Sequence, residues 1–293
     1  MQSKNSTLNK KKVIVTGAAG FVGRNVVQKL ISENYFVISI DLKNPRIRSK
    51  NHKYFKLSIK NFFLRKKLDN IFAIIHLASD PRNNYYLIKP ELALENISNT
   101  FLILNYIKSL KFKPVLIFSS TKQIEIDTLA KNMGPYAISK KFSEEIIVFY
   151  SKNFGIKSHI IRFTEVFSMY DNPQNKALKK LIYKCSKNED ILVDDKNHNF
   201  EFISIEVICD GIIKILKKKI YSRFINFYGD KLNILTLLKK IKKILRKNSK
   251  IKLNKISKKK VSTKINKEVR FKLKKTDLFT SRLGELIKNE KGN

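Results

Sequence analysis

Residues 13–23 read Val-Ile-Val-Thr-Gly-Ala-Ala-Gly-Phe-Val-Gly, and this stretch decides which fold we expect. A short β-branched run ends at Gly17, and two more glycines, Gly20 and Gly23, precede an apolar pattern of helical period. A strand, a tight glycine turn and a helix start are the parts of a dinucleotide-binding site. Gly17 permits the turn, Gly20 lets the backbone approach a pyrophosphate, and Gly23 lets the helix pack closely on the strand. A glycine turn alone is weak evidence, and it gains meaning only beside an acidic ribose ligand and a reactive centre.

The composition is that of a globular protein. With 293 residues and a hydrophobic fraction of 43%, we expect one large domain or a domain with an appendage. Two cysteines, Cys185 and Cys209, do not make a disulfide framework and are typical of a reducing compartment. The first twelve residues are polar and lysine-rich, and no run reaches the roughly 18 apolar residues of a membrane span. We therefore expect a cytoplasmic protein.

The charge is the most unusual property of the chain. It carries 61 lysines and arginines against 24 aspartates and glutamates, a formal net charge of +37. Such a charge could attract a nucleic acid, an anionic membrane surface or an anionic small molecule as a binding partner. The lysines are scattered along the chain, and asparagine and isoleucine are also abundant, as in proteins from AT-rich genomes. We therefore attribute the positive charge to a general bias in composition and not to polyanion binding, and we expect no nucleic-acid or membrane partner. A positive field would still suit an anionic nucleotide substrate.

Strands and helices alternate along the first half of the chain. This alternation indicates an α/β fold with a doubly wound parallel Rossmann sheet. The predicted strands are 13–16, 35–40, 54–57, 71–77, 115–118 and 159–163, and the predicted helices are 21–32, 90–110 and 136–154. The regularity weakens after Phe167, where we expect a strand at 202–205 and a helix beginning at 207. The basic tail keeps a helical apolar spacing, at Leu232, Ile234, Leu237, Leu238, Ile241 and Ile244.

Asp41 closes the second predicted strand, where a dinucleotide fold places its ribose ligand. A carboxylate at this place accepts hydrogen bonds from the adenosine 2′-hydroxyl and repels a 2′-phosphate, which favours NAD over NADP. Asp41 could also be a simple turn residue. Lys43, Arg46 and Arg48 follow it and could accommodate a phosphate, but we favour NAD.

Tyr136 and Lys140 lie four residues apart, which puts the phenol and the ammonium on one helical face. The unperturbed pKa of tyrosine, about 10, makes it a poor base near neutrality. A neighbouring ammonium lowers that pKa, so that the phenol can exchange a proton with a sugar hydroxyl or carbonyl. The same lysine can reach a nicotinamide ribose. On its own this spacing is more often the start of an amphipathic helix after Pro135 than a catalytic pair.

Ser119, Ser120 and Thr121 follow the predicted strand 115–118. Hydroxyls at the carboxyl edge of a parallel sheet sit where ligands bind in this architecture. One of them could hydrogen-bond the substrate oxygen that Tyr136 protonates. The alternative is ordinary capping of a strand end.

These elements, in this order, resemble the extended short-chain dehydrogenase/reductase family of NAD-dependent epimerases and dehydratases that act on nucleotide sugars. The resemblance covers residues 11–168 and, more loosely, 202–212. The matching segments are 16–23, Asp41-Leu42, Ile75-His76-Leu77-Ala78-Ser79, Asn96, Ser119-Ser120-Thr121, Pro135-Tyr136-Ala137-Ile138-Ser139-Lys140 and Arg162-Phe163.

The resemblance implies a site for NAD and no metal. In it Thr121 takes the place of the catalytic Ser/Thr, Tyr136 is the acid/base, and Lys140 is its electrostatic partner. His76 would be a packing residue at a strand end, and Asn96 would steady the loops of the site. The residues that we expect to bind the cofactor are Gly17, Gly20, Phe21, Val22, Asp41, Leu42, Leu77, Ala78, Ser79, Asn96, Ser119, Tyr136 and Lys140.

The resemblance also suggests how the chain is divided. We expect an NAD-binding Rossmann domain over residues 11–168. We expect a small C-terminal α/β subdomain that binds the substrate over residues 169–293, and the chain could return to the Rossmann sheet near residues 200–230. Relatives often dimerise through the helices that carry Asn96 and Tyr136, so a homodimer is expected.

At several positions the chain differs from the family pattern, and these differences limit the reactions that we expect. Lys122 and Gln123 stand where sugar dehydratases carry an acidic pair, so we do not expect a 4,6-dehydratase. The segment 165–169 and the missing phosphate-binding arginine before Phe202 differ from the usual nucleotide-sugar pattern.

These patterns favour an NAD-dependent epimerase or dehydrogenase acting on a sugar, in first place a nucleotide sugar. The alternatives are an oxidoreductase of a free or acid sugar and a non-catalytic NAD-binding regulatory or scaffold protein.

Overall fold

The structure, a computed structural model, describes residues 10–80, 83–126, 134–169, 177–253, 270–271 and 278–291. The described residues form two compact units. The first holds the chain as far as Arg162 together with Cys209–Asn226, and the second holds Phe163–Ile208, residues 227–253 and residues 278–291. Whether these units correspond to a cofactor domain and a substrate domain stays a prediction.

Strands and helices alternate through much of the described chain. The strands are β1 (Lys12–Thr16), β2 (Phe36–Asp41), β3 (His52–Lys56), β4 (Ile71–His76), β5 (Val115–Thr121), β6 (Ser158–Phe163), β7 (Glu165–Phe167), β8 (Ile191–Val193), β9 (Asn199–Ser204), β10 (Phe224–Phe227), β11 (Asp230–Asn233), β12 (Ile251–Leu253) and β13 (Arg270–Phe271). The helices are α1 (Phe21–Ser32), α2 (Ile59–Arg65), α3 (Asn83–Ile88), α4 (Glu91–Ser109), α5 (Gln123–Ile126), α6 (Pro135–Phe154), α7 (Ala177–Ser186), α8 (Ile205–Leu216), α9 (Ile234–Leu245) and α10 (Leu278–Lys291).

The main sheet has the order β13-β10-β6-β5-β4-β1-β2-β3, and seven of its strands form a parallel Rossmann-like sheet. The chain order reverses at β1, whose neighbours are β2 on one side and β4 on the other. Ligands bind at such a switch point, beyond the carboxyl ends of the strands. Thr16 at the end of β1 pairs with Ile40 and with His76, so three strands end level at this edge. The predicted α/β class with a doubly wound parallel sheet is confirmed.

The second unit has its own hydrophobic core. A three-stranded sheet β11-β9-β7 and a two-stranded sheet β12-β8 pack with α7, α9 and α10. From Ile234 onward the predicted apolar spacing of the basic tail is that of α9, whose Leu237, Leu238 and Ile241 are fully buried. Leu232 was wrongly included in this spacing, because it lies in β11 and Asn233 caps the start of the helix. Ile244 instead stays exposed and Leu245 is buried, because four residues after Ile241 bring the helix back to its apolar face.

No helix in the described part of the chain has the length and apolarity needed to cross a membrane.

Candidate functional site

The glycine turn between β1 and α1 needs its glycines. Gly17 has a φ of +69°, and a Cβ placed there would lie 2.7 Å from the backbone of Ala78. A Cβ at Gly23 would clash with the carbonyl oxygen of Gly17, so β1 and α1 approach each other too closely for any side chain. Gly20 is the N-cap of α1, and no side chain caps the helix there. Gly20 offers no side chain to the first N–H groups of α1, which suits an anion site.

Asp41 ends β2 beside this turn. Its Oδ2 accepts a hydrogen bond from the N–H of Ala19 at 2.9 Å, and its Oδ1 accepts one from the N–H of Lys43 at 2.9 Å. Each carboxylate oxygen keeps a second lone pair that can accept a ribose hydroxyl. The neighbouring Leu42, also predicted to bind the cofactor, is 66% exposed.

His76 ties the ends of β1 and β4 together. Its Nδ1 lies 2.8 Å from Oγ1 of Thr16, and that oxygen also accepts a long bond, 3.4 Å, from the N–H of Ala78. Burial lowers the pKa of His76 to about 3, and the positive charge of Lys140 adds to this effect. The imidazole is therefore neutral at physiological pH. This contact fixes the backbone from which the predicted cofactor residues Leu77, Ala78 and Ser79 follow, all three partly exposed.

Tyr136 and Lys140 lie in the first turns of α6, and both side chains are buried. Lys140 Nζ donates a hydrogen bond to the carbonyl oxygen of Ser119 at 2.8 Å. It also lies 4.7 Å above the ring of Phe118 and 5.7 Å from the ring centroid of Tyr136. The structure thus brings the predicted pair against the end of β5, in one compact unit with the glycine turn.

Burial changes the proton affinity of both members of the pair. It lowers the pKa of Lys140 to about 7, and the negative charge of Glu144 opposes this shift. Burial also raises the pKa of Tyr136, as does the neighbouring Tyr86, while a hydrogen bond with the side chain of Ser79 acts in the other direction. Both groups are therefore driven toward their neutral forms.

The three hydroxyl residues lie inside β5 and not beyond it. The strand was predicted to end at Phe118, but Ser119, Ser120 and Thr121 continue it and are all buried. Tertiary burial overrides the weak strand propensity of serine here. Thr121 Oγ1 accepts a hydrogen bond from the N–H of Gln123 at 3.2 Å, which leaves its own hydroxyl proton to be donated elsewhere. Among the described groups, the buried Ser120 Oγ has no hydrogen-bond partner.

Asn96 holds a network behind Tyr136. Its amide nitrogen donates to the hydroxyl of Tyr86 at 2.8 Å and to Oγ of Ser139 at 3.2 Å. Ser139 in turn donates to the backbone carbonyl of Tyr136 at 2.8 Å. The Asn96 amide is thus engaged with protein groups, and its predicted contact with the cofactor stays a prediction.

Sequence reasoning missed Tyr86. Its side chain is 1% exposed, and its ring centroid lies 5.5 Å from that of Tyr136. The only sequence signal was a pair of tyrosines, Tyr85 and Tyr86, between the predicted cofactor loop and the helix of Asn96. Because α3 is short, no period of apolar residues revealed that one of the two would be buried.

The remaining predicted cofactor residues surround the same edge of the sheet. Phe21 and Val22, the first residues of α1, are partly exposed. Lys122, which replaces an acid of the dehydratases, is 6% exposed directly after β5. The predicted roles of all these residues stay predictions, but the first unit holds each of them.

Comparisons with known proteins agree with this geometry. The model of a family described as the NAD dependent epimerase/dehydratase family matches residues 13–226. A putative UDP-glucose 4-epimerase of Methanocaldococcus jannaschii is 28% identical, over 71% of this chain and 74% of that protein.

Two solved structures have a similar fold. The UDP-N-acetylglucosamine 4-epimerase of Methanobrevibacter ruminantium has a TM-score of 0.77 at 20% identity, covering 97% of this chain and 99% of that one. The UDP-glucuronic acid 4-epimerase of Bacillus cereus, solved with UDP-glucuronic acid and NAD, has a TM-score of 0.72 at 24% identity, covering 83% and 85%. The predicted enzyme class and its cofactor NAD are confirmed. The chain belongs to the NAD dependent epimerase/dehydratase family.

Proposed function

We propose that this chain is a 4-epimerase of a UDP-linked sugar. The observation that carries the proposal is the buried pair Tyr136 and Lys140 against the end of β5, in a chain without the acidic pair that dehydration needs. A phenol and an ammonium can move one proton to and from a sugar oxygen, which is the proton transfer that inversion through a ketone demands, while the hydride would be carried by NAD. The relative named above is described as a putative UDP-glucose 4-epimerase, and the two similar structures are 4-epimerases of UDP-sugars, which supports this choice of substrate.

The residues present fit a dinucleotide. The glycine turn packs so closely on the backbone of Ala78 that Gly17 has no room for a Cβ, and the N-terminus of α1 has no side-chain cap. Asp41 keeps acceptor capacity for ribose hydroxyls, and Leu77, Ala78 and Ser79 line the adjoining edge of the sheet. Bound there, NAD would supply the acceptor and donor of the hydride.

We assign the proton transfer to and from the sugar to Tyr136 Oη. As base it takes the proton from the sugar hydroxyl at the carbon that is oxidised, and as acid it returns the proton when the ketone is reduced. The cationic form of Lys140 stabilises the phenolate that forms in between. Because the pKa of Lys140 is lowered to about 7, a large share of molecules carries this cation at neutral pH. The free hydroxyl proton of Thr121 can hydrogen-bond the same sugar oxygen and hold it in place.

Tyr86, Asn96 and Ser139 position Tyr136. The hydrogen bond from Ser139 holds the backbone of Tyr136, and the buried Tyr86 ring packs beside its phenol. Asn96 connects these two contacts with one amide group. A rigid phenol matters because a misplaced acid/base costs orientation at the reacting atom.

The family resemblance also suggested a dimer, and the surface of the first unit supports it. Helices α4 and α6 pack together and leave four large apolar side chains exposed, namely Leu94, Phe101, Phe142 and Phe149. Exposed apolar patches of this kind mark interaction sites. We assign this face to a second copy of the chain. Light scattering should give twice the chain mass, and Phe142→Glu should reduce it to the mass of one chain.

The function is tested with UDP-glucose, UDP-N-acetylglucosamine and UDP-glucuronate. Each is incubated with the NAD-loaded enzyme, and the 4-epimer is followed by NMR while NADH is followed by absorbance. We expect an epimer from at least one of them without net NADH. Stoichiometric NADH would instead identify a dehydrogenase, and no product from any of them would contradict the proposal.

A matched pair of variants tests the assignment of the proton. Tyr136→Phe should lower turnover by about 10²–10⁴-fold, the usual contribution of a general acid/base, and leave NADH binding intact. Tyr221→Phe removes the hydroxyl of a tyrosine that is 82% exposed and should leave turnover unchanged. Full activity of Tyr136→Phe would remove the phenol from the mechanism.

A further inference from the structure

A cationic cavity lies next to the proposed ribose ligand. It has a volume of about 600 Å³, and its lining includes four cationic residues, Arg24, Lys43, Arg46 and Lys56. Leu42 and Tyr54 also line it, and none of the described lining residues is acidic. All of these residues belong to the first unit, so that the cavity is formed within one compact body.

The loop that carries two of these cations has a fixed shape. Arg46 has a φ of +56°, which is uncommon for a residue with a side chain. Its backbone N–H donates to Oδ1 of Asn44 at 2.8 Å, and Pro45 between them is buried. A non-glycine residue held in the left-handed region costs free energy, and such residues cluster at ligand sites. The Arg46 side chain is thus presented from a constrained loop and not from a free one.

Asp41 is less of an obstacle to an anion than its sequence position suggests. Both of its oxygens accept hydrogen bonds from backbone N–H groups, those of Ala19 and Lys43. Such donors fix the position of the carboxylate and stabilise its charged form, so that it contributes a single negative charge at the edge of the cavity. The three cations Lys43, Arg46 and Lys56 of the adjoining cavity outweigh this one carboxylate.

We propose that this cavity accepts the 2′-phosphate of NADP, so that the chain binds NADP(H) as well as NAD(H). The Arg46 guanidinium can hold a phosphate through two parallel N–H bonds, and Lys43 and Lys56 add point charges beside it. Asp41 remains the acceptor for the ribose when the phosphate is absent. The inference rests on the proposed dinucleotide site and goes beyond it by widening the cofactor range.

Calorimetric titration of the cofactor-stripped protein with NADH and with NADPH tests the proposal. We expect the two dissociation constants to differ by less than tenfold at low salt, and NADPH binding to weaken more steeply than NADH binding as salt is added. Tight NADH binding with a more than tenfold weaker binding of NADPH would overturn the inference and leave the proposed function standing. Binding of neither dinucleotide would overturn the proposed function itself.

Three variants test whether the 2′-phosphate binds in this cavity. Arg46→Ala and Lys43→Ala should each raise the dissociation constant of NADPH at least tenfold and change that of NADH by less than about threefold. Lys53→Ala removes an exposed lysine of β3 that does not line the cavity, and it should change neither value. Equal weakening of NADH and NADPH by Arg46→Ala, or no effect on NADPH, would overturn the assignment of the phosphate to this cavity.

Discussion

Replacing His76 by asparagine should make the fold less sensitive to acid. His76 is fully buried, and its ring accepts or donates a bond at Oγ1 of Thr16 while it remains neutral. A proton on this ring would place a charge in the core near Lys140, which is why burial and that lysine lower its pKa to about 3. An asparagine can still hydrogen-bond Thr16, but it cannot take up a proton.

The sign and size of the effect follow from the two pKa values. In the unfolded chain a histidine titrates near 6.5, so below that pH the unfolded chain binds a proton that the folded chain refuses until about pH 3. The free energy of unfolding therefore falls as the pH falls through this window. From pH 7 to pH 5 the loss assigned to His76 is about 2 kcal/mol, since one pKa unit corresponds to about 1.4 kcal/mol.

Urea unfolding at pH 7 and pH 5, followed by circular dichroism because the chain has no tryptophan, measures this loss. The quantity compared is the difference between the two pH values, so a general destabilisation by the substitution cancels. His76→Asn should lose about 2 kcal/mol less than the parent over this range. The exposed His198 is the control, and His198→Asn should lose as much as the parent. An equal loss in His76→Asn and the parent would refute the reasoning.

Gly17→Ala should cost far more stability than Gly155→Ala. Both glycines have a positive φ, which costs an alanine about 1–2 kcal/mol, but only at Gly17 would the Cβ also meet backbone, at 2.7 Å. Equal unfolding free energies of the two variants would contradict the close packing of the glycine turn. Glu144→Gln should cost about 3–5 kcal/mol, because it leaves the charge of the buried Arg162 without its bidentate partner at 2.9 and 2.5 Å. The exposed Glu145→Gln is the control in the same melting experiment, and a comparable loss there would show that the buried pair contributes nothing special.

The first strand, turn and helix could be predicted closely because every local signal agreed. The apolar run, the glycines and the helical period all indicated the same boundaries, and α1 spans the predicted residues 21–32. By contrast, α2 was missed although Ser58 caps it by accepting a bond from the N–H of Asn61. A helix of seven residues is too short for its period to stand out from a loop.

The support behind Tyr136 could not be predicted for a different reason. Asn96 meets Ser139 across 43 positions of sequence, and it meets Tyr86 from a separate helix. Such contacts depend on how α4 packs on α6, and no spacing within either segment encodes that. The resemblance placed Asn96 near the site, but the tyrosine that it holds became visible only in three dimensions.

The spacing of Tyr136 and Lys140 is only part of what sets the charge of the site, because Glu144 also contributes. The spacing of four predicted that Tyr136 and Lys140 share a face of α6, and Glu144 continues that face one turn further on. Burial drives Lys140 toward its neutral amine, and the negative charge of Glu144 opposes this. Since a phenolate at Tyr136 needs a cation beside it, the carboxylate that pairs with Arg162 also helps to keep the lysine charged. Tyr136, Lys140 and Glu144, spaced four residues apart on α6, therefore act together: the tyrosine exchanges the proton, the lysine stabilises the phenolate, and the glutamate helps to keep the lysine charged. Glu144 lies outside the motif that identifies the other two.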